Sequence, residues 1–252
     1  MSLSLDLGNR VVLVTGGNRG VGLGISRQFI AAGATLVTCA RSEAEPVGAA
    51  HYVCDVRDTD AVGNLIERVV AEHGALDVLV NNAGGAPYAL AAEGSDNFHA
   101  KIVGLNLLAP LTLMRAANAV MQEQADGGSI VNVSSVSALR PSPGTSSYGA
   151  AKAGLDSLTR TLGVEWAPKV RVNAIDVGLV RTEQTDLHYG GSDGVAAISR
   201  TIPLGRLAAP DEVGAVACFL ASPLASYVSG ATIECHGGGE RPAFLTAVEG
   251  LS

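Results

Sequence analysis

Charged and aromatic residues are scarce in this sequence. Of its 252 residues, 16% are charged and 4% are aromatic, whereas 47% are hydrophobic and 31 are glycine. Intrinsic disorder is excluded, because disordered chains combine low hydrophobicity with high charge density and the mean hydropathy here is +0.29. The chain can bury a large core, and its length suits one domain that spans residues 1–252.

Positive charge is limited as well. Lys and Arg total 17 against 24 Asp and Glu, so the net charge is −7 and the isoelectric point is about 5.2. The sequence contains no basic run that could neutralise a row of phosphates. This composition argues against a nucleic-acid partner.

Signals for membranes, metals and oxidising compartments are weak. The cysteines are widely spaced and form no C-x-x-C pair; they are Cys39, Cys54, Cys218 and Cys235. The N-terminal MSLSLDLGNR lacks a basic region followed by a long apolar one, so no signal peptide is predicted. Residues 213–233 are uncharged and long enough to cross a bilayer, but Pro223 interrupts them and favours a buried helix, a turn and a strand. We expect a cytoplasmic protein with no metal and no membrane partner.

Short apolar runs rich in β-branched residues alternate with stretches that can form helices. The strand candidates are Val11–Val14, Thr35–Cys39, Tyr52–Cys54, Val78–Val80, Ile130–Val133, Arg171–Ile175 and Ala231–Glu234. Uninterrupted runs such as VVLV and DVLV suit strands covered on both faces, as in a parallel sheet with right-handed crossovers. The predicted fold class is α/β, and no repeat or compositional break divides the chain.

The segment after the fifth strand candidate carries the clearest helical pattern. Apolar residues recur there at steps of three and four, at Leu155, Leu158, Leu162 and Trp166. Pro168 follows where the helix should end. Tyr148 and Lys152 lie earlier in the segment, and their spacing of four places both side chains on one helix face.

A glycine-rich turn directly follows the first strand candidate. Residues 15–22 read TGGNRGVG and lead into a helical pattern through Ile25 and Phe29. A strand, a glycine turn and a helix start place free backbone N–H groups where a pyrophosphate can bind. The G-x-x-x-G-x-G spacing, with no Gly-Lys-Ser/Thr after it, disfavours a P-loop nucleotide triphosphatase. Taken alone, the pattern also fits a turn that only packs the helix against the strand.

Several further motifs occur in a fixed order along the chain. They are TGGNRGVG at 15–22, NNAG at 81–84, Asn106, Ser135, Tyr148-x-x-x-Lys152, NAIDVGLVRT at 173–182 and PLGRLAAPDEV at 203–213. Together they resemble the short-chain dehydrogenase/reductase family, in the single-domain branch that includes 3-oxoacyl thioester reductases and hydroxysteroid dehydrogenases. Any one motif could arise by chance, so the order and the intervals carry the resemblance.

The resemblance implies a fold and a set of roles. The fold is a Rossmann-type, doubly wound sheet of seven parallel strands with helices on both faces, usually in a homotetramer. Tyr148 is implied to be the general acid/base, Ser135 to hold the substrate oxygen, and Lys152 to bind ribose and activate the tyrosine. Asn106 is implied to keep a proton-relay water in place. An isolated tyrosine, lysine or serine would instead be interpreted as a surface side chain.

Elementary electrostatics is consistent with an activated tyrosine. A phenol titrates near ~10, and bringing it to ~7 requires roughly 4 kcal/mol of preference for the phenolate. An ammonium about 4 Å away supplies ~4 kcal/mol at an effective dielectric constant of about 20. We therefore expect Lys152 to lower the pKa of Tyr148, with an oxidised nicotinamide ring adding to the effect.

The end of the second strand indicates which dinucleotide is bound. A free 2′-hydroxyl usually meets an acidic residue there, whereas a 2′-phosphate requires cations. This chain has Ala40 at that position, followed by Arg41, and Arg19 lies just before Gly20. Two guanidiniums and no carboxylate favour NADP(H) over NAD(H), unless both arginines are ordinary surface charges.

The resemblance also implies cofactor contacts along the carboxyl edge of the sheet. Asp55 resembles the adenine contact, residues 82–84 the edge beside the adenine ribose, and Gly178 and Thr182 the nicotinamide contacts. The full set is Gly16, Asn18, Arg19, Gly20, Val21, Arg41, Asp55, Val56, Asn82, Ala83, Gly84, Tyr148, Lys152, Gly178, Val180 and Thr182.

Two positions depart from the family pattern. The usual Pro-Gly after the sixth strand is Val177-Gly178, preceded by Asp176, which leaves the rigidity of that loop open. Near the C-terminus, His236 replaces the aspartate of the common Asp-Gly-Gly. We interpret His236 as a structural or subunit-contact residue, because Tyr148 already serves as acid/base. The other histidines show no metal-ligand spacing, and among them only His188 is a candidate substrate contact.

The resemblance implies that the segment from about Glu183 to Thr201 covers the substrate. Three glycines suggest a mobile lid: Gly190, Gly191 and Gly194. Its larger apolar side chains suggest that it covers an apolar body: Leu187, Tyr189, Val195 and Ile198. We expect a small-molecule ketone or secondary alcohol, free or coenzyme-A-linked, for example alicyclic or steroid-like.

Other functions are compatible with parts of the pattern. One is a 3-oxoacyl thioester reductase of the fatty-acid synthesis type, although a net charge of −7 would repel an acidic carrier protein unless Arg140, Arg181 or Arg200 forms a cationic patch. Another is a non-catalytic NADP(H)-binding redox sensor, which the intact Ser–Tyr–Lys–Asn set disfavours. Dehydration or epimerisation on the same scaffold is only weakly excluded.

Overall fold

The fold is built on one sheet of parallel strands. In this computed structural model, which describes residues 5–185 and 190–242, the strands are β1 Val11–Thr15, β2 Thr35–Ala40, β3 Ala50–Val53, β4 Val78–Asn81, β5 Gly128–Ser135, β6 Val170–Val177 and β7 Thr232–Cys235. All pairings are parallel, and the order in space is β3-β2-β1-β4-β5-β6-β7. Each of the seven strand candidates is confirmed, as is the α/β fold class.

Helices cover both faces of this sheet. They are α1 Gly20–Ala31, α2 Thr59–His73, α3 Asp96–Val103, α4 Ala109–Met121, α5 Ser146–Glu165, α6 Gly191–Ser199 and α7 Pro210–Ala221. Alternate residues of β1 point to opposite faces of the sheet. Leu13 packs in the same core cluster as residues of α2, α4 and α5, whereas Val14 packs with residues of α1 and α7. This two-sided burial explains why the strands are continuous apolar runs.

The helix that carries Tyr148 and Lys152 follows its sequence pattern. Leu155 and Leu162 of α5 are buried in the core, and Leu158 and Trp166 pack against the same cluster while remaining partly exposed. The helix ends at Glu165, shortly before Pro168. The apolar stripe therefore fixes the rotation of α5, and its rotation fixes where Tyr148 and Lys152 point.

Two apolar stretches bear on the question of membrane spans. Residues 213–233 form most of α7, a 3₁₀ turn at Pro223–Ala225 and the start of β7, as predicted. The helical stretch Asp96–Met121 is long and apolar enough to span a membrane by length and composition alone. Core helices of soluble proteins meet the same criterion, and here Leu113 and Met114 of this stretch are buried against the sheet.

The strand order reverses between β1 and β4, and ligands of open parallel sheets bind at the carboxyl ends of strands at such a point. Thr15, the last residue of β1, ties the two strand ends together. Its hydroxyl oxygen accepts hydrogen bonds from the backbone N–H groups of Asn82 at 3.0 Å and Ala83 at 2.9 Å. The dinucleotide site predicted from the sequence therefore lies beside the glycine turn and the NNAG segment.

Candidate active site

The glycine turn after β1 is held in close contact with the end of β4. The side-chain amide of Asn82 donates to the carbonyl oxygens of Thr15 at 2.9 Å and Gly16 at 3.2 Å. Gly16 has a φ of 64°, in the left-handed region, and a Cβ on Gly22 would overlap the Gly16 carbonyl oxygen. The Asn82 side chain thus holds the backbone of the turn in place. Because Gly22 has no Cβ, the first turn of α1 can pack directly against Gly16.

The N-terminus of α1 provides a site for an anion. Arg19 is the N-cap residue and makes no side-chain capping hydrogen bond. Instead, the N–H of Gly20 donates to the carboxylate of Glu183 at 3.2 Å. A negatively charged group therefore already stands at the positive end of the helix, where the pyrophosphate of a dinucleotide is expected. The turn fits such a group, and the pyrophosphate would take the place of the Glu183 carboxylate.

Three other predicted cofactor contacts lie in two places, two at this turn and one after β3. Asn18 and Val21 are half-buried, and Val21 packs against the core beneath α1. Val56 is buried in the core on the other face of the sheet. Asn18 and Val21 belong to the turn itself, whereas Val56 follows β3.

The adenosine end of the crevice is rich in guanidinium groups. Ala40 ends β2, and Arg41 after it is exposed, as is Arg19. Arg57 binds the carboxylate of Asp55 through two nitrogens, at 2.9 and 2.6 Å. This ion pair, aided by the charge of Arg41, lowers the pKa of Asp55 to about 2. An adenine contact by Asp55 would have to form alongside its bond to Arg57, which the sequence did not indicate.

Asn106 lies on a π-helical turn, Gly104–Leu108, that joins α3 to α4. Its side chain is fully buried and binds both backbone polar groups of Gly85, the residue after the NNAG segment: Oδ1 accepts from Gly85 N–H at 2.8 Å, and Nδ2 donates to Gly85 C=O at 2.9 Å. A Cβ on Gly84 would lie 2.7 Å from Asn106 Oδ1 and 3.6 Å from Lys152 Nζ. Single π turns are frequent at functional sites, and this one brings Asn106 to the loop that faces Lys152.

Tyr148 and Ser135 are brought together by the close packing of α5 on the turn after β5. A Cβ on Gly149 would lie only 2.8 Å from the carbonyl oxygen of Ser137, so glycine is needed next to Tyr148. Burial raises the pKa of Tyr148, and a hydrogen bond with Ser135 partly opposes that shift. The direction is opposite to the one expected from the Lys152 ammonium, because burial of the phenol is the largest effect on its pKa. Tyr148 is a neutral phenol at neutral pH.

Lys152 is buried, with 3% of its surface exposed. Its Nζ donates to the carbonyl oxygen of Val133 at 2.7 Å and lies 5.6 Å from the ring centroid of Tyr148. Burial lowers the pKa of Lys152 to about 8, while the carboxylates of Asp156 and Asp176 act in the opposite direction. Ser135, Tyr148, Lys152 and Asn106 therefore form one constellation, as predicted.

The loop after β6 is anchored despite its departure from Pro-Gly. Gly178 continues the strand pairing, with its N–H donating to Cys235 C=O at 3.0 Å. Val180 forms a β-bridge with Ala208, and the N–H of Thr182 donates to the hydroxyl of Thr185 at 2.6 Å. These bonds hold the predicted nicotinamide contacts without a proline.

A cavity of about 160 Å³ adjoins this loop and the turn after β5. Its lining is mostly apolar and includes Val136, Leu139, Leu179 and Ile202. His236 also lines it, bound to Glu234 and packed against Gly178, which agrees with a structural role. At the rim, Arg140 is ion-paired with Glu240.

The expected lid is only partly described. Val195 of α6 is buried with Ile202 and Leu207, and Ile198 packs against this cluster, so both support the cavity wall. Gly190 and Gly191 adopt left-handed conformations where α6 begins. Leu187, His188 and Tyr189 lie outside the described residues. In residues 5–185 and 190–242, no group of three potential metal ligands occurs.

Some residues of the site were not singled out from the sequence. Thr15 and Thr185 bind backbone N–H groups, and Glu183 reaches α1 from the far end of the chain; no local pattern marks these contacts. Asp156 could have been found, because it lies four residues after Lys152 on a predicted helix.

Comparison with known proteins agrees with this geometry. Residues 16–240 match the family described as enoyl-(acyl carrier protein) reductase. The 3-oxoacyl-[acyl-carrier-protein] reductase FabG of Chlamydia muridarum is 34% identical, covering 91% of this chain and 97% of that protein. The 3beta-hydroxysteroid dehydrogenase 1 of Eggerthella lenta is also 34% identical, covering 92% and 94%. The ligand-free structure of aldohexose dehydrogenase from Thermoplasma acidophilum has a TM-score of 0.87 at 29% identity, covering 92% and 94%.

These proteins share the fold and nearly the full length of the chain, but their names refer to different substrates: a carrier-bound thioester, a steroid and a sugar. The similarity therefore identifies a family rather than one reaction. The chain belongs to the short-chain dehydrogenase/reductase family, whose members are oxidoreductases that act on alcohol and ketone groups with a nicotinamide cofactor.

Proposed function

We propose that this protein transfers a hydride between NADP(H) and the ketone or secondary alcohol of an apolar small molecule. The observation that carries the proposal is the convergence of Ser135, Tyr148 and Lys152 beside a mostly apolar cavity. Ser135 lies close enough to Tyr148 to lower the pKa of its phenol, and Lys152 Nζ lies 5.6 Å from the centroid of the tyrosine ring. The cavity begins at Val136, the residue after Ser135.

Tyr148 exchanges the proton with the substrate oxygen. In ketone reduction its phenol donates the hydroxyl proton to the carbonyl oxygen, while the nicotinamide supplies the hydride to the carbonyl carbon. Burial raises the pKa of Tyr148, which keeps the phenol in the donating form. In alcohol oxidation the phenolate accepts the hydroxyl proton. The Ser135 hydroxyl donates a hydrogen bond to the substrate oxygen and fixes its position.

The charges at the adenosine end support NADP(H). Arg41 directly follows β2, and Arg19 is the N-cap residue of α1. Both side chains are exposed, so both guanidinium groups are available to a 2′-phosphate. Ala40 offers no carboxylate to a free 2′-hydroxyl, and the carboxylate of Asp55 is bound by Arg57. The group of guanidiniums therefore suits a dianionic phosphate better than a hydroxyl.

The lining of the cavity supports an apolar substrate. This lining includes Val136, Leu139, Leu179 and Ile202, and Val136 directly follows Ser135 in the chain. Arg140, one of the arginines that could attract an acidic carrier protein, is ion-paired with Glu240. We therefore propose a free or coenzyme-A-linked ketone rather than a carrier-bound thioester. The second candidate function is reduction of a carrier-bound 3-oxoacyl thioester, because two relatives are named 3-oxoacyl-[acyl-carrier-protein] reductase FabG.

Steady-state kinetics separates the candidates. Consumption of NADPH is followed with a cyclic ketone, an acyl-coenzyme A ester and the matching carrier-protein ester. The proposal predicts the highest kcat/KM for a free or coenzyme-A-linked ketone. A preference for the carrier-bound ester that weakens as salt rises would instead support the second candidate. Binding of NADPH without turnover of any carbonyl substrate would indicate a redox sensor.

We also propose a homotetramer, on the resemblance to the family alone. Sedimentation equilibrium at micromolar concentration measures this directly. A mass near four times 25.5 kDa is expected, and a monomer would contradict it.

A further inference from the structure

Two buried carboxyl groups lie behind Lys152. Asp156 is on α5 one turn after Lys152, and Asp176 is on β6, the strand next to the one that ends in Ser135. Asp176 is fully buried and Asp156 is 4% exposed. Within the described part of the chain, neither oxygen of Asp176 has a hydrogen-bond partner, nor does Oδ1 of Asp156. Such groups are rare, because an unpaired buried carboxylate is costly.

The two carboxyl groups face each other. Asp156 and Asp176 are close enough to interact as hydrogen-bond partners, which requires a proton on one of them. The hydroxyl of Ser134 donates to the backbone carbonyl of Lys152 at 3.4 Å and, through its contact with both carboxyl groups, acts to lower the pKa of each. A proton held between the two aspartates would therefore satisfy oxygens that are otherwise unpaired.

The charged and polar groups around the pair come from three elements. On α5, Lys152 and Arg160 face Asp156; on β7, Glu234 faces Asp176; and on β5, Ser134 contributes its hydroxyl. Arg160 and Glu234 are exposed, so water and salt screen them. Lys152 is the buried cation of the cluster. One ammonium balances one negative charge, so the cluster is neutral only when the two aspartates together hold one proton.

We propose that Asp156 and Asp176 share one proton as a buried acid pair, and that the charge of this acid pair governs Lys152 and the pH dependence of proton transfer at Tyr148. Both are positioning residues, because they act through Lys152. The kinetic part of this inference rests on the proposed function, whereas the sharing of a proton does not.

Loss of the shared proton opposes ionisation of Tyr148. Burial and the neighbouring Asp156 raise the pKa of Asp176 to about 6, so the acid pair becomes doubly ionised as the pH rises through that value. The cluster then carries a net negative charge, which holds Lys152 in its ammonium form and opposes formation of the Tyr148 phenolate. Alcohol oxidation, which needs the phenolate, is therefore shifted to higher pH by the second carboxylate.

The first experiment detects the proton without using activity. Infrared titration of the full-length protein follows the C=O stretch of protonated carboxyl groups from pH 5 to 8. Wild type should show a buried carboxylic acid that ionises near pH 6, and this signal should vanish in both Asp176→Asn and Asp156→Asn. The exposed Asp60→Asn serves as control and should keep it. Absence of the signal in wild type, or its persistence in both variants, would overturn the inference whatever the enzyme activity.

The second experiment measures the consequence for catalysis. In Asp176→Asn the remaining carboxylate still balances Lys152, so the enzyme should stay active. The ascending limb of kcat against pH for alcohol oxidation should move to lower pH by about one unit. Asp60→Asn should follow the wild-type profile. An unshifted profile in Asp176→Asn would show that the acid pair does not reach Tyr148, whereas absence of turnover in wild type would count against the proposed function.

Discussion

The carboxylate of Glu183 accepts a hydrogen bond from the backbone N–H of Gly20, 3.2 Å away, although 163 residues separate them. Gly20 is the first residue of α1, so the bond joins the loop after β6 to the anion site at the helix N-terminus. A pyrophosphate bound at this helix N-terminus would compete with the carboxylate. The contact therefore links the start of the expected lid to occupation of the cofactor site.

Replacing Glu183 by glutamine should strengthen cofactor binding. The variant removes the negative charge that competes for the helix terminus, an effect of about 0.3–1 kcal/mol, or roughly two- to fivefold in Kd. Isothermal titration with NADPH measures it, with the exposed Glu67→Gln on α2 as the matched control. Weaker binding in Glu183→Gln would show that the carboxylate supports the cofactor rather than competing with it.

Arg41→Ala should weaken NADPH binding while leaving NADH binding almost unchanged. Loss of a guanidinium–phosphate hydrogen bond costs about 1.5–3 kcal/mol, which corresponds to a Kd roughly 10- to 150-fold higher. Titration of wild type and variant with both reduced cofactors checks this. Arg115→Ala, an exposed arginine on α4, is the control. Tighter binding of NADH than NADPH by the wild type would contradict the cofactor assignment.

Asn106→Ala should destabilise the protein and weaken cofactor binding together. The substitution leaves the N–H and C=O of Gly85 without their partner, which costs roughly 2 kcal/mol or more. Urea unfolding measures the free energy of unfolding, and titration measures the affinity for NADPH. Asn118→Ala on α4 removes only a hydrogen bond to Gln122 and should change both values little. A stable variant with unaltered affinity would exclude this role for Asn106.

The free energy of unfolding should respond to pH through Asp176. Its folded-state pKa of about 6 lies above the ordinary value of 3.8, so the folded chain binds this proton more tightly than the unfolded chain. Stability is therefore lost as the pH rises from about 4 to 6 and stays lower above that range. Asp176→Asn cannot titrate, so its stability relative to wild type should rise by roughly 2–3 kcal/mol over this interval. Thermal unfolding from pH 4 to 7.5 measures it, and a constant difference would be inconsistent with a raised pKa.

The sequence predicted the sheet, and the structure brings the candidate site residues together, because both depend on local patterns. Continuous apolar runs mark strands buried on two faces, and parallel strands bring their carboxyl ends to one edge. The spacing of Tyr148 and Lys152 fixes their shared helix face, and the apolar stripe at Leu155 and Leu162 orients that face. Position relative to strand ends was therefore predictable for most of the site.

Contacts between distant segments were not predictable. Nothing in the sequence links Glu183 to Gly20 or Asp156 to Asp176, since each pair meets only through the packing of separate elements. The pKa of Tyr148 was expected to fall because a nearby ammonium and an oxidised nicotinamide ring both favour the phenolate. Burial of the phenol has the larger effect, and burial is a property of the assembled fold.

Proton transfer by Tyr148 in an NADPH-dependent reduction can be measured with Tyr148→Phe. The variant keeps the ring but loses the hydroxyl, so its kcat for ketone reduction should be about 10²- to 10⁴-fold lower with nearly unchanged NADPH affinity. Tyr227→Phe, at a fully exposed tyrosine, is the control and should retain wild-type turnover. Wild-type turnover by Tyr148→Phe would show that another group transfers the proton.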